Sequence, residues 1–307
     1  MSLKAGIVGL PNVGKSTLFN AITKSHVVAE NYPFATIEPN TGIVPVSDER
    51  FDNLVKLFHP KKQVKATFEF TDIAGLVKGA SRGEGLGNKF LSHIREVDAI
   101  VHVVRCFKDD NVTHVENTVD PVRDIGIINL ELILSDMEAV EKKLDRAKSM
   151  IKTGDKKYIV ESELLQRIYD CLASEKPVRS LSFTDEEADY VKGLFLLTSK
   201  PVIYAANIGE EDIGKDESTL PLVQEVKNYA KTEGSETLVI CAKIEEEISA
   251  LPIGEQAEYL AALGLEESGL NRLVKASYSL LGLMSFLTAG EPETRAWTIK
   301  IGTKAPQ

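Results

Sequence analysis

Residues 4–16 read KAGIVGLPNVGKS, and this stretch decides the fold. A short apolar run from Lys4 leads into a loop, Gly9 to Ser16, that matches the pattern GxxxxGK[ST], and residues 16–22 then have helical character. Strand, loop and helix in this order are the context that a phosphate-binding loop requires. In such a loop successive backbone N–H groups point at the phosphates, and the helix adds the positive end of its dipole.

Individual residues of the loop have separate predicted roles in binding a purine nucleoside triphosphate. We expect Lys15 to bridge the β- and γ-phosphates as a catalytic charge and the Ser16 hydroxyl to ligate Mg²⁺. The residues predicted to bind the phosphates are Asn12, Val13, Gly14, Lys15, Ser16 and Thr17.

A second phosphate element follows at Asp72-Ile-Ala-Gly75, after a run whose alternation predicts a strand. At a strand end, an aspartate can hold Mg²⁺ through water, and the N–H of Gly75 can reach the γ-phosphate. Five glycines between residues 75 and 87 indicate a segment that a ligand orders, which we interpret as a nucleotide-sensing switch. Between the two elements, Thr36 is a candidate for a further Mg²⁺ ligand.

The rest of the chain predicts a doubly wound α/β sheet. Buried-type strands are expected at 66–72, 99–104, 201–206 and 237–241, separated by helical stretches. Such a sheet places its binding loops at the carboxyl ends of the strands.

A helical hairpin is predicted to interrupt this sheet. Apolar residues recur four and three apart on a first helix, and a second helix after Thr153-Gly-Asp155 repeats the spacing. The pattern predicts an antiparallel coiled coil formed by Ile133, Met137, Val140, Leu144, Ala147, Ile151, Leu165, Ile168 and Leu172. Towards the end of the chain we expect a helix over 270–287 and a strand over 295–301 that begins a small β-rich domain.

Base recognition is expected after a later strand, at Ala206-Asn207-Ile208-Gly209-Glu210. GTPases carry NKxD there, and its aspartate accepts hydrogen bonds from guanine. Here Ile208 replaces the lysine, and Glu210 is one methylene longer than the aspartate; both changes weaken guanine reading. Asn207, Ile208, Glu210 and Ala242, which lies in an SAK-like loop, are therefore the predicted base-binding residues.

Composition narrows the functional classes. The 307 residues are 43% hydrophobic with a net charge of −10, which argues against a protein whose whole surface coats nucleic acid, and we expect no DNA partner. We interpret the basic runs at 61–65 and 142–157 as solvent-exposed faces, although either could form a local basic patch. No signal peptide or membrane span is recognised, so a cytoplasmic protein with no membrane partner is expected. The three cysteines form no CxxC pair.

Together these elements resemble the Obg-related class of P-loop translation factors, and specifically the YchF or Obg-like ATPase family. The resemblance covers nearly the whole chain and rests on GLPNVGKS at 9–16, NYPFATIEPN at 31–40, DIAGLVKGASRGEGLGN at 72–88, NIGE at 207–210 and the helical insertion. It implies an ATP-preferring enzyme with a ribosome-associated role and a C-terminal TGS domain.

The domain limits expected from this resemblance divide the nucleotide-binding domain in two. We expect its parts at 1–127 and 200–287, the coiled-coil insertion at 128–199, and an N-terminal fragment of the TGS domain at 288–307. Two alternatives to an ATPase stay open. The protein could be a GTPase of the same class, or a ribosome- or RNA-binding adaptor for which the nucleotide is only a structural ligand.

Catalysis needs a group that positions water, and Ras-type GTPases place a glutamine directly after DxxG, where this chain has Leu76. His114, in a polar loop on the carboxyl-end side of the sheet, is the candidate, ahead of His93; His102 lies in an apolar strand and is expected to be structural. The GxPNxGKS form of the loop resembles that of potassium-stimulated members of the class, and Asn12 is the candidate K⁺ ligand. As a turn residue, Asn12 has an equally good alternative explanation.

Overall fold

The computed structural model describes residues 3–26, 40–73, 86–109, 112, 115 and 118–304. The strands in this part of the chain are β1 (Lys4–Val8), β2 (Thr41–Pro45), β3 (Gln63–Val64), β4 (Thr67–Asp72), β5 (Ala99–Arg105), β6 (Val202–Asn207), β7 (Glu236–Ile240), β8 (Leu283–Thr288) and β9 (Thr294–Lys300). The helices are α1 (Lys15–His26), α2 (Glu49–Phe58), α3 (Leu86–Glu96), α4 (Pro121–Met150), α5 (Lys156–Ala173), α6 (Asp185–Lys192), α7 (Pro221–Thr232), α8 (Ala242–Ala250), α9 (Ile253–Ala262) and α10 (Gly269–Leu280).

A central sheet has the strand order β2-β4-β1-β5-β6-β7. Its neighbouring strands are parallel except β2, which is antiparallel to β4. The predicted α/β sheet is confirmed, and β1, β4, β5, β6 and β7 lie where apolar runs predicted strands. Every residue of β5 and β6 is buried, which explains why their sequences are mostly apolar.

The edge strand β2 was not predicted. Its side chains alternate between half-buried and buried positions, and it ends at Pro45. Proline is tolerated at a sheet edge, where its missing N–H removes no ladder bond. The short run Thr-Gly-Ile-Val-Pro carried too little periodicity to reveal a strand.

The coiled-coil insertion is confirmed as an antiparallel pair, α4 and α5. Helix α4 takes part in two cores. Ile125, Ile128 and Leu132 pack in the main core, whereas from Ile133 onward α4 packs against α5 in a second core. Most of the predicted seam is buried there: Ile133, Val140, Leu144, Ala147, Leu165, Ile168 and Leu172. The limits at residues 127 and 128 remain a prediction; α4 runs through them.

Buried polar contacts join the insertion to the sheet. Arg179, which follows α5, forms an ion pair with Glu233 after α7, with N and O 2.7 Å apart and both side chains almost fully buried. The same guanidinium donates to Asn129 of α4 at 3.2 Å, and the Tyr204 hydroxyl of β6 donates to Glu233 at 2.9 Å. Removing one member of such a buried set leaves an uncompensated charge, so loss of any of these contacts is expected to destabilise the junction between the hairpin and the sheet.

A second sheet of three strands has the order β3-β9-β8. The predicted helix over 270–287 is wrong beyond Leu280, because Gly282 adopts a φ of 63° that ends the helix and β8 follows. In β8, Leu283 and Ser285 are buried while Met284 and Phe286 are exposed, which is strand periodicity. A short apolar run fits both periods, so the sequence pattern alone did not separate them.

The strand predicted near residue 295 therefore has partners within this chain. β9 is antiparallel to β8 and parallel to β3.

Among the helices that the structure describes, none has the length and apolar character of a membrane span.

Candidate nucleotide-binding site

The phosphate-binding loop lies between β1 and α1, as predicted. Asn12 and Gly14 have φ values of 63° and 93°, so the loop reverses direction through left-handed conformations before α1 begins at Lys15. Consecutive N–H groups in such turns form concave anion sites, and the first N–H groups of a helix lack internal partners. The backbone here is therefore shaped to bind phosphate oxygens.

Two glycines of the loop have no room for a side chain. A Cβ on Gly14 would lie 2.1 Å from Nδ2 of Asn207, and a Cβ on Gly9 would lie 2.8 Å from the carbonyl oxygen of Val103. Gly14 also needs its positive φ, which other residues adopt at a cost. The loop geometry thus depends on both the local sequence and close packing against β5 and β6.

Lys15 and Asp72 form an ion pair at the base of the loop. Their side chains are 10% and 22% exposed, so the pair is weakly screened by water. Ser16, on the first turn of α1, is exposed. The hydroxyl of Ser16 and the carboxylate of Asp72 supply the hard oxygen donors that Mg²⁺ prefers, so these residues fit a Mg²⁺–triphosphate site.

A cavity of about 1000 Å³ adjoins the loop. It is bounded by the phosphate loop, the residues after β5, those after β6, and the start of α8. Of the residues predicted to bind phosphate or base, Val13 has a buried side chain outside the lining. The others all line the cavity: Asn12, Gly14, Lys15, Ser16, Thr17, Asn207, Ile208, Glu210 and Ala242.

Asn207 is the link between the two ends of this cavity. Its Nδ2 donates to the carbonyl oxygen of Val13 at 2.8 Å, and its Oδ1 accepts from the N–H of Ala242 at 2.9 Å. One buried amide side chain thus ties the phosphate loop to the loop before α8. The predicted base contact of Asn207 stays a prediction.

The two departures from the guanine-binding pattern have different surroundings. Ile208 is buried, and its N–H donates to the carbonyl oxygen of Ile240 at 2.9 Å. Glu210 is exposed and forms an ion pair with Lys243, and both residues belong to the cavity lining. This hydrogen bond raises the pKa of Lys243. The carboxylate at the guanine-reading position therefore already has a cationic partner.

Sequence reasoning missed the wall that follows β5. Phe107, Lys108 and Asp109 line the cavity, and Arg105 at the end of β5 is buried directly behind them. The sequence signal that could have revealed this wall is Arg105, a charged residue at the end of the mostly apolar strand AIVHVVR. A buried guanidinium needs several acceptors, which indicates an ordered loop beside it.

Three predicted residues, Thr36, Gly75 and His114, lie outside the described residues, so their roles remain predictions. His93 is exposed on α3 and is not part of the cavity lining. His102 is buried in β5 beside Tyr204, with ring centroids 5.4 Å apart. Burial, and secondarily the charge of Arg179, lower the pKa of His102 to about 3, so it is neutral in the fold.

A phosphate loop between β1 and α1, an aspartate at the end of β4, and a cavity wall built after β5, β6 and β7 define a P-loop nucleoside triphosphatase. A family model described as "50S ribosome-binding GTPase" matches residues 4–160. The ribosome-binding ATPase YchF of Bacillus subtilis (strain 168) is 58% identical over 100% of this chain and 84% of its own length.

Other relatives agree. The Escherichia coli O157:H7 ribosome-binding ATPase YchF is 48% identical over 100% of this chain and 84% of its own length. The structure of the Schizosaccharomyces pombe YchF GTPase superposes with a TM-score of 0.87 at 40% identity, covering 100% of this chain and 82% of that one. The chain belongs to the YchF family.

Proposed function

We propose that this protein is a Mg²⁺-dependent ATPase that hydrolyses ATP to ADP and phosphate and works in association with the ribosome. The observation that carries the proposal is one cavity with two ends. The phosphate end is the complete phosphate loop, and the base end, after β6 and β7, differs from the guanine-binding pattern at Ile208 and Glu210. Relatives that match the whole chain are named ribosome-binding ATPases.

The phosphate end supplies charge and orientation. Lys15, which pairs with Asp72 in this structure, would place its ammonium against the phosphates, and the loop N–H groups would bind phosphate oxygens. Ser16 and Asp72 would hold Mg²⁺, with Thr36 proposed as a further ligand and Gly75 as a γ-phosphate sensor. When bound, Mg²⁺ neutralises charge on the phosphate oxygens. Ser16→Ala is expected to lower ATP affinity in Mg²⁺ and to have no effect in EDTA, as measured by titration calorimetry.

His114 is the proposed water-positioning residue. Leu76 cannot orient water, and an imidazole can accept a hydrogen bond from water near neutral pH. His114→Ala is expected to abolish steady-state turnover at unchanged ATP affinity. His93→Ala is measured in parallel, because His93 is the second candidate for this role. Wild-type turnover in His114→Ala would eliminate His114 and shift attention to His93 or to a group donated by the ribosome.

ATP is the proposed substrate in preference to GTP. Guanine needs a carboxylate that accepts from its N1–H and 2-amino group, whereas Glu210 is paired with Lys243. Competition between labelled ATP and GTP tests this directly; tighter GTP binding would favour a GTPase. Phosphate release that stays at background with Mg²⁺, K⁺ and ribosomes would favour an adaptor with a structural nucleotide.

The tip of the helical hairpin, residues 142–157, is the proposed ribosome contact. It has seven lysines and arginines and two aspartates, a net charge of +5 in a chain of net charge −10. Those seven side chains are exposed, and of the ion pairs among described residues the tip contributes only that of Lys142 with Glu138. This charge is complementary to RNA phosphates, which dominate the binding of RNA by protein surfaces.

Charge reversal tests this surface. The triple variant Lys143→Glu, Arg146→Glu and Lys156→Glu is expected to reduce co-sedimentation with ribosomal subunits at least tenfold and to flatten its salt dependence, with basal ATP turnover unchanged. The control reverses three exposed lysines elsewhere, Lys176, Lys192 and Lys231. An equal loss of co-sedimentation in both triple variants would show that net charge, and not the tip itself, determines ribosome binding.

A further inference from the structure

We propose that Arg105 is a positioning residue for the nucleoside base: it holds the wall that follows β5, and with it the ring of Phe107, in the shape that receives the base. The inference rests on the proposed function in that the cavity must bind a nucleotide. Arg105 does not line the cavity, so it acts through the residues in front of it.

Three nitrogens of one guanidinium hold three points of the wall. Nε donates to the carbonyl oxygen of Phe107 at 3.2 Å, Nη2 to that of Asp109 at 3.2 Å, and Nη1 to that of Val112 at 3.0 Å. All three acceptors belong to residues that line the cavity. The rigid fork of arginine sets the spacing of these carbonyls, which a lysine ammonium at the end of a flexible stem does not.

The position of Arg105 makes these bonds obligatory. Its side chain is 2% exposed, at the end of a strand buried throughout. Burial lowers the pKa of Arg105, and the charges of Asp109 and Asp124 act in the opposite direction. A buried cation without acceptors is costly, so the wall cannot move away while the guanidinium stays in place.

Phe107 is held twice. Its carbonyl accepts from Nε of Arg105, and the guanidinium carbon lies 4.5 Å from the centre of its ring. Next to it, the N–H of Cys106 donates to the carbonyl oxygen of Asn207 at 2.8 Å, which ties this wall to the base-binding end of β6. Aromatic faces bind bases by stacking, so the ring that Arg105 orients is suited to a purine.

A comparison of two ligands separates positioning from general stability. ATP uses both ends of the cavity, whereas inorganic tripolyphosphate uses the phosphate end alone. Arg105→Lys is expected to weaken ATP binding about tenfold and to leave tripolyphosphate binding within twofold, by titration calorimetry in Mg²⁺. Phe107→Ala is expected to give the same pattern, and the double variant no further loss, because both changes remove one wall.

Arg123→Lys is the matched control, since that arginine also donates to a loop carbonyl, that of Thr118, but Thr118, unlike the acceptors of Arg105, does not line the cavity. It should bind both ligands as the wild type does. Wild-type ATP affinity in Arg105→Lys, an equal loss of tripolyphosphate binding, or additive losses in the double variant would overturn the inference.

Hydrogen exchange of the unaltered protein provides a test that does not depend on a variant folding. ATP, unlike tripolyphosphate, is expected to slow amide exchange in the peptide that covers residues 106–112, and equal protection by both ligands would overturn the inference. A wild-type protein that binds ATP no more tightly than tripolyphosphate would instead contradict the proposed ATP site itself.

Discussion

The two ends of the nucleotide cavity are built in different ways. The phosphate end comes from one contiguous loop, of which residues 10–12 and 14–17 line the cavity, together with Asp72, which pairs with Lys15. Its proposed binding groups are mostly backbone N–H groups and one lysine. The base end comes from the loops after three separate strands, and its shape depends on buried side chains behind it. The phosphate end is therefore sensitive to loss of charge, and the base end to loss of positioning.

Removal of the phosphate-end charge should have the largest effect. Lys15→Ala is expected to weaken ATP binding by at least about 100-fold, because charge-assisted bonds to two phosphates contribute about 1.5–3 kcal/mol each. It also leaves Asp72 without its cation. Titration with ATP measures the loss.

Lys24→Ala is its control, since Lys24 lies on the same helix and pairs with Glu246 at 3.1 Å. That variant should bind ATP within about twofold of the wild type, because exposed ion pairs contribute little. Unchanged ATP affinity in Lys15→Ala would remove the phosphate assignment and with it the contrast between the two ends.

Asn207 tests whether the ends are coupled. Asn207→Ala leaves the Val13 carbonyl and the Ala242 N–H without their partner, and each orphaned buried group costs about 1–3 kcal/mol. We expect a lower melting temperature and a weaker affinity for both ATP and tripolyphosphate, roughly tenfold for each. Asn228→Ala, at an exposed position of α7, should change neither. A loss confined to ATP would show that the two ends are independent.

A smaller effect is expected on the choice between adenine and guanine. Ile208→Lys combined with Glu210→Asp restores the guanine-reading residues and is expected to shift the ratio of ATP to GTP affinity about tenfold towards GTP, since one added hydrogen bond to a charged group is worth about 1.5–3 kcal/mol. Competition binding measures the ratio. An unaltered ratio would move base choice to backbone contacts around Ile208.

The smallest expected effect concerns the monovalent cation. We propose that K⁺ stimulates turnover through the Asn12 side chain, whose carbonyl oxygen can ligate a cation beside the phosphates. Turnover should be several-fold higher in K⁺ than in Na⁺, and Asn12→Ala should remove the difference while ATP affinity stays nearly constant. Equal turnover of the wild type in both salts would leave Asn12 as a turn residue, as its φ of 63° also allows.

Much of the fold followed from local patterns. Fully buried strands such as β5 and β6 have mostly apolar sequences, and the heptad spacing of α4 and α5 was long enough to show one period clearly. The strand β8 was mistaken for helix because its six residues, of mixed apolar and polar character, fit the helical and the strand period equally well. In the structure Gly282 ends the helix just before β8 begins.

The sequence by itself determined the phosphate loop, the strand that ends at Asp72 and the paired helices, because in each case the necessary residues are neighbours along the chain. The sequence also indicated which residues form the base end, but only the tertiary structure decided how that end is held in shape. Asn207 joins Val13 to Ala242 through hydrogen bonds between segments whose separation in sequence hides their contact in space. Arg105 is close in sequence to Phe107, but only the fold shows that its guanidinium is buried and which carbonyls it binds. A buried amide or guanidinium must satisfy its hydrogen bonds wherever the fold supplies acceptors, and the packing of β1, β5, β6 and β7 determines where those are.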